Sequence, residues 1–401
     1  MKTLRHIVLA VRALPHHGIG GMEAVAWDVA TALADRGIGV TVLTAEIPGR
    51  SASFVDRGVR VRALPGANCR RYGRRWWSTT RRVFEQEMLE DCDLVLSISA
   101  GGFGLLPLRS RIPDVPFVLQ AHGTSMGEVL SKWRSGNLFA MATSARNLAY
   151  IPKDLRAYGS FDAIVAVGQR VFSDFSTWPY RRAAQSGRIK LIRNGIDTAV
   201  FRPDSDQRQR FRTELGCGTD TRLIISASRL HKQKGIALGL DAFALLTRTR
   251  SDLRYLILGD GPERTALQTR TSALGISERV HFLGGIPRER MPRYLNAADV
   301  MLFTTTHVEG EPLNVLEALA VGLPVVASRH LYPRATPSDK VIPVCPDDRG
   351  EVCAGLGRAL HLAHDTRQCS LPPGCSMADT TQSYLELFNS LLNERPRDRK
   401  R

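Results

Sequence analysis

Two cations and two carboxylates in the second half of the chain have the types and spacing to do chemistry. Arg229 and Lys234, with four residues between them, lie in "ASRLHKQKG", just past the apolar run "RLIISAS". Two fixed cations past a strand end can neutralise a diphosphate, arginine through its planar fork and lysine as a point charge. Taken alone, they also fit a pair of solvated surface cations. Glu309 and Glu317 flank Pro-Leu-Asn in "VEGEPLNVLEALAVGLPVVAS". On one continuous helix two acids eight residues apart would point in different directions. Pro312 suits the first turn of a helix, which leaves Glu309 in a loop and puts Glu317 on the helix. The N–H groups of Leu313, Asn314 and Val315 then lie between the acids, where they can receive phosphate oxygens. A further anion contact is offered by "HHGIGGMEAV", where Gly18, Gly20 and Gly21 precede a helix. Glycines there let backbone approach a phosphate at a helix N-terminus. The stretch lacks the full G-x-G-x-x-G spacing, so a nicotinamide cofactor is a poorer expectation than a generic anion, and an ordinary tight turn stays open.

The elements that must position these groups alternate along the chain. Candidate buried strands are residues 6–11, 39–44, 93–99, 116–122, 162–167 and 189–194, all short and rich in Val, Ile and Leu. Between the first two, "MEAVAWDVATALADRG" has helical spacing and stops at Gly37. A strand-helix-strand unit implies a parallel sheet. The alternation restarts after the polar, turn-rich "NGIDTAVFRPDSDQRQR" with strands at 222–228, 253–259, 279–284, 299–305 and 324–328, and helices near 236–249, 263–273, 288–297 and 313–321. The expectation is α/β: two Rossmann-like doubly wound domains facing across a cleft, with ligands outside the carboxyl ends of the strands. Residues 1–196 form the first domain and 197–376 the second. Residues 377–401 supply a helix packing back toward the first domain, and a basic tail.

The 401 residues, 43% hydrophobic and 23% charged, suffice for two cores. No apolar run reaches membrane-spanning length, and the N-terminal apolar stretch breaks at Arg12, so the expectation is a soluble, unprocessed chain. The seven cysteines (69, 92, 217, 345, 353, 369 and 375) include no Cys-x-x-Cys pair and read as reduced cytoplasmic thiols. The net charge of +16 is uneven: residues 1–196 hold 27 Lys+Arg against 15 Asp+Glu, residues 197–394 hold 23 against 23, and the last seven hold 5 against 1. Such a field suits an anionic membrane face or nucleic acid, or is a solvated arginine-rich surface.

"ASRLHKQKG", "LGDGPER", "VHFLGGIPRERMPRYLNAADVMLFTT" and "EGEPLNVLEALAVGLPVVAS", in that order, resemble the nucleotide-sugar-binding half of glycosyltransferase family 4 (group 1 glycosyl transferases), retaining enzymes of GT-B fold. The match spans about residues 190–330, with a looser one in "GIGGMEAVAWDVATALADRG" and "QAHGT". The resemblance implies that Arg229 and Lys234 grip the diphosphate and stabilise the departing nucleotide. It implies that Glu317 holds the ribose hydroxyls, that Glu309 stands near the sugar, and that Gly284, Gly285 and Ile286 line the base. It places Gly20 and Gly21 beside the donor and His122 close to the donor sugar, with a satisfied strand-end histidine as the other reading. The sequence departs from the family pattern at Glu311-Pro312, where many members have Phe-Gly, and this leaves the role of Glu311 open.

"RRYGRRWWSTTRR" carries Arg70, Arg71, Arg74, Arg75, Arg81 and Arg82 with Tyr72, Trp76 and Trp77. Arginine with tryptophan suits a lipid headgroup region, and the same composition can stack on single-stranded nucleic acid. Because the charge excess lies in the half that handles the acceptor in this family, an anionic membrane surface is the preferred partner, and no nucleic acid is expected. Asp91 and Asp93 imitate a metal-binding Asp-x-Asp but read as a helix-strand boundary. No metal or cofactor is expected, since Arg229, Lys234 and helix N–H groups can do the electrostatic work of a divalent ion.

The expectation from sequence is therefore a metal-independent, retaining glycosyltransferase. It moves a sugar from a nucleotide-diphosphate-sugar to a glycan or lipid-linked acceptor in bacterial polysaccharide or lipopolysaccharide synthesis. It is cytoplasmic, with peripheral attachment to the inner membrane face as the further expectation. The alternatives are a nucleotide-dependent oxidoreductase, which would want a complete glycine fingerprint, and a non-enzymatic nucleic-acid binder, which would not explain the neutral second half.

Overall fold

A computed structural model describes residues 3–18, 20–134, 148, 151–181, 186–307, 309–332, 336–362 and 367–394. The basic tail lies outside the described residues. The chain divides into two units, Met1–Gly195 with Ser376–Arg401, and Ile196–Cys375.

The first unit runs β1 (His6–Ala10), α1 (Gly21–Ala34), β2 (Gly39–Ala45), β3 (Ser53–Asp56), β4 (Val59–Leu64), α2 (Arg74–Glu87), β5 (Leu94–Ile98), β6 (Phe117–Ala121), α3 (Ser125–Arg134), β7 (Ala163–Ala166), α4 (Gln169–Phe175) and β8 (Ile189–Leu191). The sheet order is β3-β4-β2-β1-β5-β6-β7-β8, and every pairing is parallel except that of β3 with β4. The central strands are apolar throughout because helices cover both faces of such a sheet. Strands β3 and β4 were not expected. "VRVRAL" alternates apolar and charged residues, the mark of a strand with one wet face, and reading for continuous apolar runs passes over it.

The second unit runs α5 (Ser205–Glu214), β9 (Arg222–Ala227), α6 (Ile236–Leu246), β10 (Leu253–Leu258), α7 (Arg264–Ala273), β11 (Val280–Gly284), α8 (Met291–Ala297), β12 (Val300–Phe303), α9 (Leu313–Ala320), β13 (Val325–Ser328), β14 (Val341–Val344) and α10 (Arg349–Leu362). Its six strands, ordered β11-β10-β9-β12-β13-β14, are all parallel. Pro343 hid β14 in the sequence. At a sheet edge a strand can carry a proline because the missing N–H faces away from the ladder. Asp299, fully buried before β12, accepts bonds from the Leu223 N–H (2.7 Å), Arg208 (2.5 Å) and Arg212 (3.1 Å), and so pins α5 to the starts of β9 and β12.

After Cys375 the chain re-enters the first unit as α11 (Met377–Asn393), opened by Ser376, whose hydroxyl accepts the Asp379 N–H. Tyr384, Phe388, Leu391 and Leu392 join Ala26, Val29, Ala30 and Leu33 of α1 in one core. This helix is part of the first unit's packing. Phe388 is fully buried there. Phe388→Ala is expected to cost about 3–5 kcal/mol through lost burial and a residual cavity. The check is a shift of the first unit's transition in chemical denaturation.

Both sheets reverse direction beside their central strand, β1 with β5 and β9 with β12. The loops leaving such a pair diverge to opposite faces, and the crevice between them is the usual ligand position of an open α/β sheet.

Candidate active site

In the second unit the diverging loops carry the residues singled out by sequence. The loop after β9 closes in a tight turn, Lys232–Lys234, ended by Gly235 at φ +64°. A Cβ on Gly235 would stand 1.9 Å from the Thr304 carbonyl oxygen, so only glycine lets this loop press against the end of β12. Thr304 Oγ1 donates to the Gly235 carbonyl (2.9 Å), and the Thr305 hydroxyl and Thr306 N–H donate to the Gln233 carbonyl (3.0 and 2.8 Å). The turn therefore holds Lys234 over the loop that follows β12. Its Nζ meets Glu309 Oε1 at 2.5 Å, with Thr305 Oγ1 3.5 Å from the same oxygen. The cation expected on the phosphate side and the acid expected on the sugar side are thus in direct contact. Arg229, one turn earlier, is exposed and has no side-chain partner among the described residues.

Pro312 is the N-cap of α9 rather than a residue of its first turn, with ψ 116°. Asn314 ties this helix start to β9: its Nδ2 donates to the Ala227 carbonyl (2.9 Å) and its Oδ1 accepts the Val315 N–H (3.0 Å). This corrects one expectation. The Val315 N–H is occupied by Asn314 Oδ1 and the Pro312 carbonyl (3.2 Å), so it is not offered to a ligand. The N–H groups of Leu313 and Asn314 have no acceptor among the described residues, and they carry the positive end of α9.

Glu317, one turn on, is buried, and its Oε1 accepts a 2.8 Å bond from Arg288 Nε. Sequence reasoning missed Arg288, which lies in "GGIPRERM" after β11 and reveals its partner only through the fold. Its guanidinium also stands 5.7 Å over the Phe201 ring. Gly284 takes φ +73°, and its carbonyl accepts the Gly259 N–H (2.7 Å), turning the chain so that Gly285 and Ile286 leave the strand toward Arg288. Glu311 is half-buried and engaged by its surroundings.

In the first unit His122 follows β6. Its Nε2 lies 3.1 Å from Gln120 Oε1, and Gln120 Nε2 donates to the Tyr384 hydroxyl (2.6 Å). Burial pushes the imidazole pKa down to about 4, so the ring is neutral at ordinary pH. Gly20 caps α1 and Gly21 begins it. Beneath them lies Glu23, 2% exposed, whose Oε2 would be 3.9 Å from a Cβ on Gly20 and whose Oε1 faces Arg12 at 3.7 Å. The helix end read as an anion contact already has an internal anion, so any ligand contact by Gly20 and Gly21 is a backbone contact.

The arginine-tryptophan stretch needs a correction. Trp76 and Trp77 do not present indoles outward. Trp76 is 2% exposed and donates Nε1 to the Gly101 carbonyl (2.9 Å); Trp77 is half-buried and donates to the Ala100 carbonyl (3.0 Å). Residues 70–73 of the stretch precede α2 and residues 74–82 open it, with Trp76, Thr79, Thr80, Val83 and Phe84 of the helix forming its inward face at helical spacing. Arg70, Arg71, Arg74, Arg75, Arg81 and Arg82 are exposed, Arg81 bonding the Gly104 carbonyl (3.2 Å). Asp93 is buried and accepts the Arg5 and His6 N–H groups (2.9 and 3.0 Å), which makes it a strand-start anchor.

Two family models match this chain: Glycosyltransferase Family 4 over residues 19–200 and Glycosyl transferases group 1 over 207–344. The chain belongs to the group 1, family 4 glycosyltransferases. It is 37% identical over 150 residues to a GDP-mannose-dependent alpha-(1-6)-phosphatidylinositol monomannoside mannosyltransferase of Mycolicibacterium smegmatis, an overlap of 36% of this chain and 39% of that protein. It is 29% identical to a D-inositol 3-phosphate glycosyltransferase of Acidothermus cellulolyticus over 77% of this chain and 70% of that one. Among solved structures, sucrose-phosphate synthase from Thermosynechococcus elongatus superposes with a TM-score of 0.76 at 19% identity, covering 96% of this chain and 100% of that one. The fold is of the GT-B class, two Rossmann-like α/β domains.

The depressed pKa of His122 has a consequence for this glycosyltransferase. In the unfolded chain the imidazole titrates near 6.5, in the folded one near 4, so between these values only the unfolded state gains the proton. The histidine's contribution to stability is fully present above about pH 6.5 and falls as the pH drops toward 4. Denaturation midpoints at pH 7 and pH 4.5 should separate more in the wild type than in His122→Gln.

Proposed function

We propose that the second unit binds a nucleotide-diphosphate-sugar and that the enzyme transfers the sugar, with retention and without a metal ion, to a glycan or lipid-linked acceptor. The observation that carries this is the Lys234–Glu309 pair at the diverging ends of β9 and β12, set beside the N–H groups of Leu313 and Asn314 and the exposed Arg229. A diphosphate placed there meets two cations and a helix N-terminus. These donors hold the leaving group's charge at a fixed geometry, so little reorganisation is needed as it develops.

A diphosphate drawing on Lys234 releases Glu309, which can then accept sugar hydroxyls. Glu317, oriented by Arg288, accepts the ribose hydroxyls, and Gly284, Gly285 and Ile286 run along the base. His122 of the first unit, neutral and with Nε2 turned to Gln120, keeps Nδ1 to accept from a ligand hydroxyl. Retention follows if the leaving phosphate guides the acceptor to the face it leaves. A place in bacterial surface polysaccharide or lipopolysaccharide synthesis, on the cytoplasmic side, fits such a donor. The mannosyltransferase relative, named for a phosphatidylinositol glycoside, supports a lipid-linked acceptor.

Uridine, guanosine and adenosine diphosphates, screened by thermal shift, are expected to include at least one that stabilises the protein by mass action. Lys234→Ala and Glu317→Ala should each weaken that nucleotide about 10- to 100-fold, the loss of one charged hydrogen bond. Arg288→Ala should lose less than Glu317→Ala, with part recovered in Arg288→Lys. Unchanged affinity in all three variants would move the donor elsewhere.

The arginines on the loop before α2 and on its first turns are proposed to face an anionic membrane, with the tryptophans as their scaffold. No helix among the described residues is long and apolar enough to cross a membrane, so any attachment through these residues is peripheral. Flotation with phosphatidylglycerol vesicles, against phosphatidylcholine controls, tests this. Replacing Arg70, Arg71, Arg74 and Arg75 by glutamine should lower binding at least about tenfold, since each cation near such a surface is worth ~1 kcal/mol. Equal binding by the variant rejects the assignment.

A further inference from the structure

The segment Gly284–Arg288 has an arginine at each end. Arg288 marks one end by its bond to Glu317. At the other end stands Arg264, the first residue of α7. It donates Nη2 to the Phe282 carbonyl (3.3 Å), and its Nη1 lies 3.5 Å from the place a Cβ on Gly284 would take. Gly284 therefore leaves bare backbone beside the guanidinium. The counter-charge is weak: Asp260 Oδ2 is 3.8 Å away on a side chain 65% exposed, and its Oδ1 accepts the Gly261 N–H (2.8 Å). The guanidinium is thus tethered at one nitrogen, one-third exposed, and far from neutralised at the other.

In the proposed donor site the phosphates lie on Lys234, the ribose on Glu317 and the base along Gly284–Ile286, which brings one base edge beside Arg264. That edge meets a group with five N–H donors and no acceptor. Guanine offers O6 and N7 to such a fork and uracil offers O4, whereas adenine keeps N7 but puts a 6-amino donor where the keto oxygen would stand. A site built to hydrogen-bond one edge rejects the analogue that lacks the acceptor, because the buried or half-buried donor is left unpaired. We infer that Arg264 selects the donor by its base, taking a keto base, guanine or uracil, over adenine. The inference rests on the reading of the second unit as the donor site. Asp260 is the rival reader: on the edge that carries the keto oxygen it would accept only from adenine's amino group, and its exposure and its bond to Gly261 leave it the weaker of the two.

Calorimetric titration of the full-length protein with guanosine, uridine and adenosine diphosphates, and with inorganic pyrophosphate, tests the selection. The wild type is expected to bind guanosine or uridine diphosphate at least about tenfold more tightly than adenosine diphosphate, the discrimination of one well-made base contact. Arg264→Ala should bring the three nucleotides to within about threefold of one another and leave pyrophosphate affinity unchanged. Arg264→Lys, which keeps the charge but loses the fork, should fall between them. Adenosine diphosphate binding as tightly as the others in the wild type, or a preference that survives Arg264→Ala, overturns the inference while leaving the donor site standing. Failure of every nucleotide to bind the wild type overturns the donor site and the inference together.

Discussion

The contact of Gly235 with the end of β12 is the constraint on which the site of the second unit depends. Because no Cβ fits between Gly235 and the Thr304 carbonyl, the turn after β9 lies flat on the neighbouring strand end. That contact brings Lys234 to Glu309 across 75 residues of sequence. The same junction is closed from the other side by Asn314, whose side chain holds the start of α9 to the end of β9. Strand order brings β9 and β12 together, and these two small contacts decide which atoms of their loops meet.

The groups so assembled are matched in charge before any ligand arrives. Lys234 rests on Glu309 and Arg288 rests on Glu317, each partly shielded from water. A buried or half-buried charge without a partner would cost several kcal/mol, so a site rich in charges is tolerable only when it is paired within itself. The second unit's equal count of acids and bases has this physical counterpart at its centre. Leu313 and Asn314 are the complement: backbone donors that keep their directions without needing a counter-ion.

The first unit handles charge differently. Exposed arginines gather at the start of α2 and on the loop before it, while Trp76 and Trp77 go inward and bond the carbonyls of Gly101 and Ala100. Composition alone treats arginine and tryptophan in one stretch as one surface. A helix separates them, because positions three and four apart share a face and the two large indoles bury more apolar area than any neighbour. Glu23 shows the same sorting on a smaller scale, an acid tucked beneath the glycine loop with Arg12 as its counter-ion.

Sequence by itself determined the two α/β repeats, the glycine turns, the family, and the loop and helix addresses of Glu309 and Glu317. Each of these rests on local periodicity, on turn chemistry, or on motif spacing within one stretch of chain. It passed over β3 and β4, whose alternating charges hide a wet strand face, and β14, whose proline is tolerable only at a sheet edge. Tertiary structure alone decided that Lys234 meets Glu309, that Arg288 orients Glu317, that the Val315 N–H is already taken, and that Arg264 borders Gly284. These are contacts between segments tens of residues apart. Their partners are chosen by the order of strands and by the room left at a backbone carbonyl, and neither is written in any short stretch of residues.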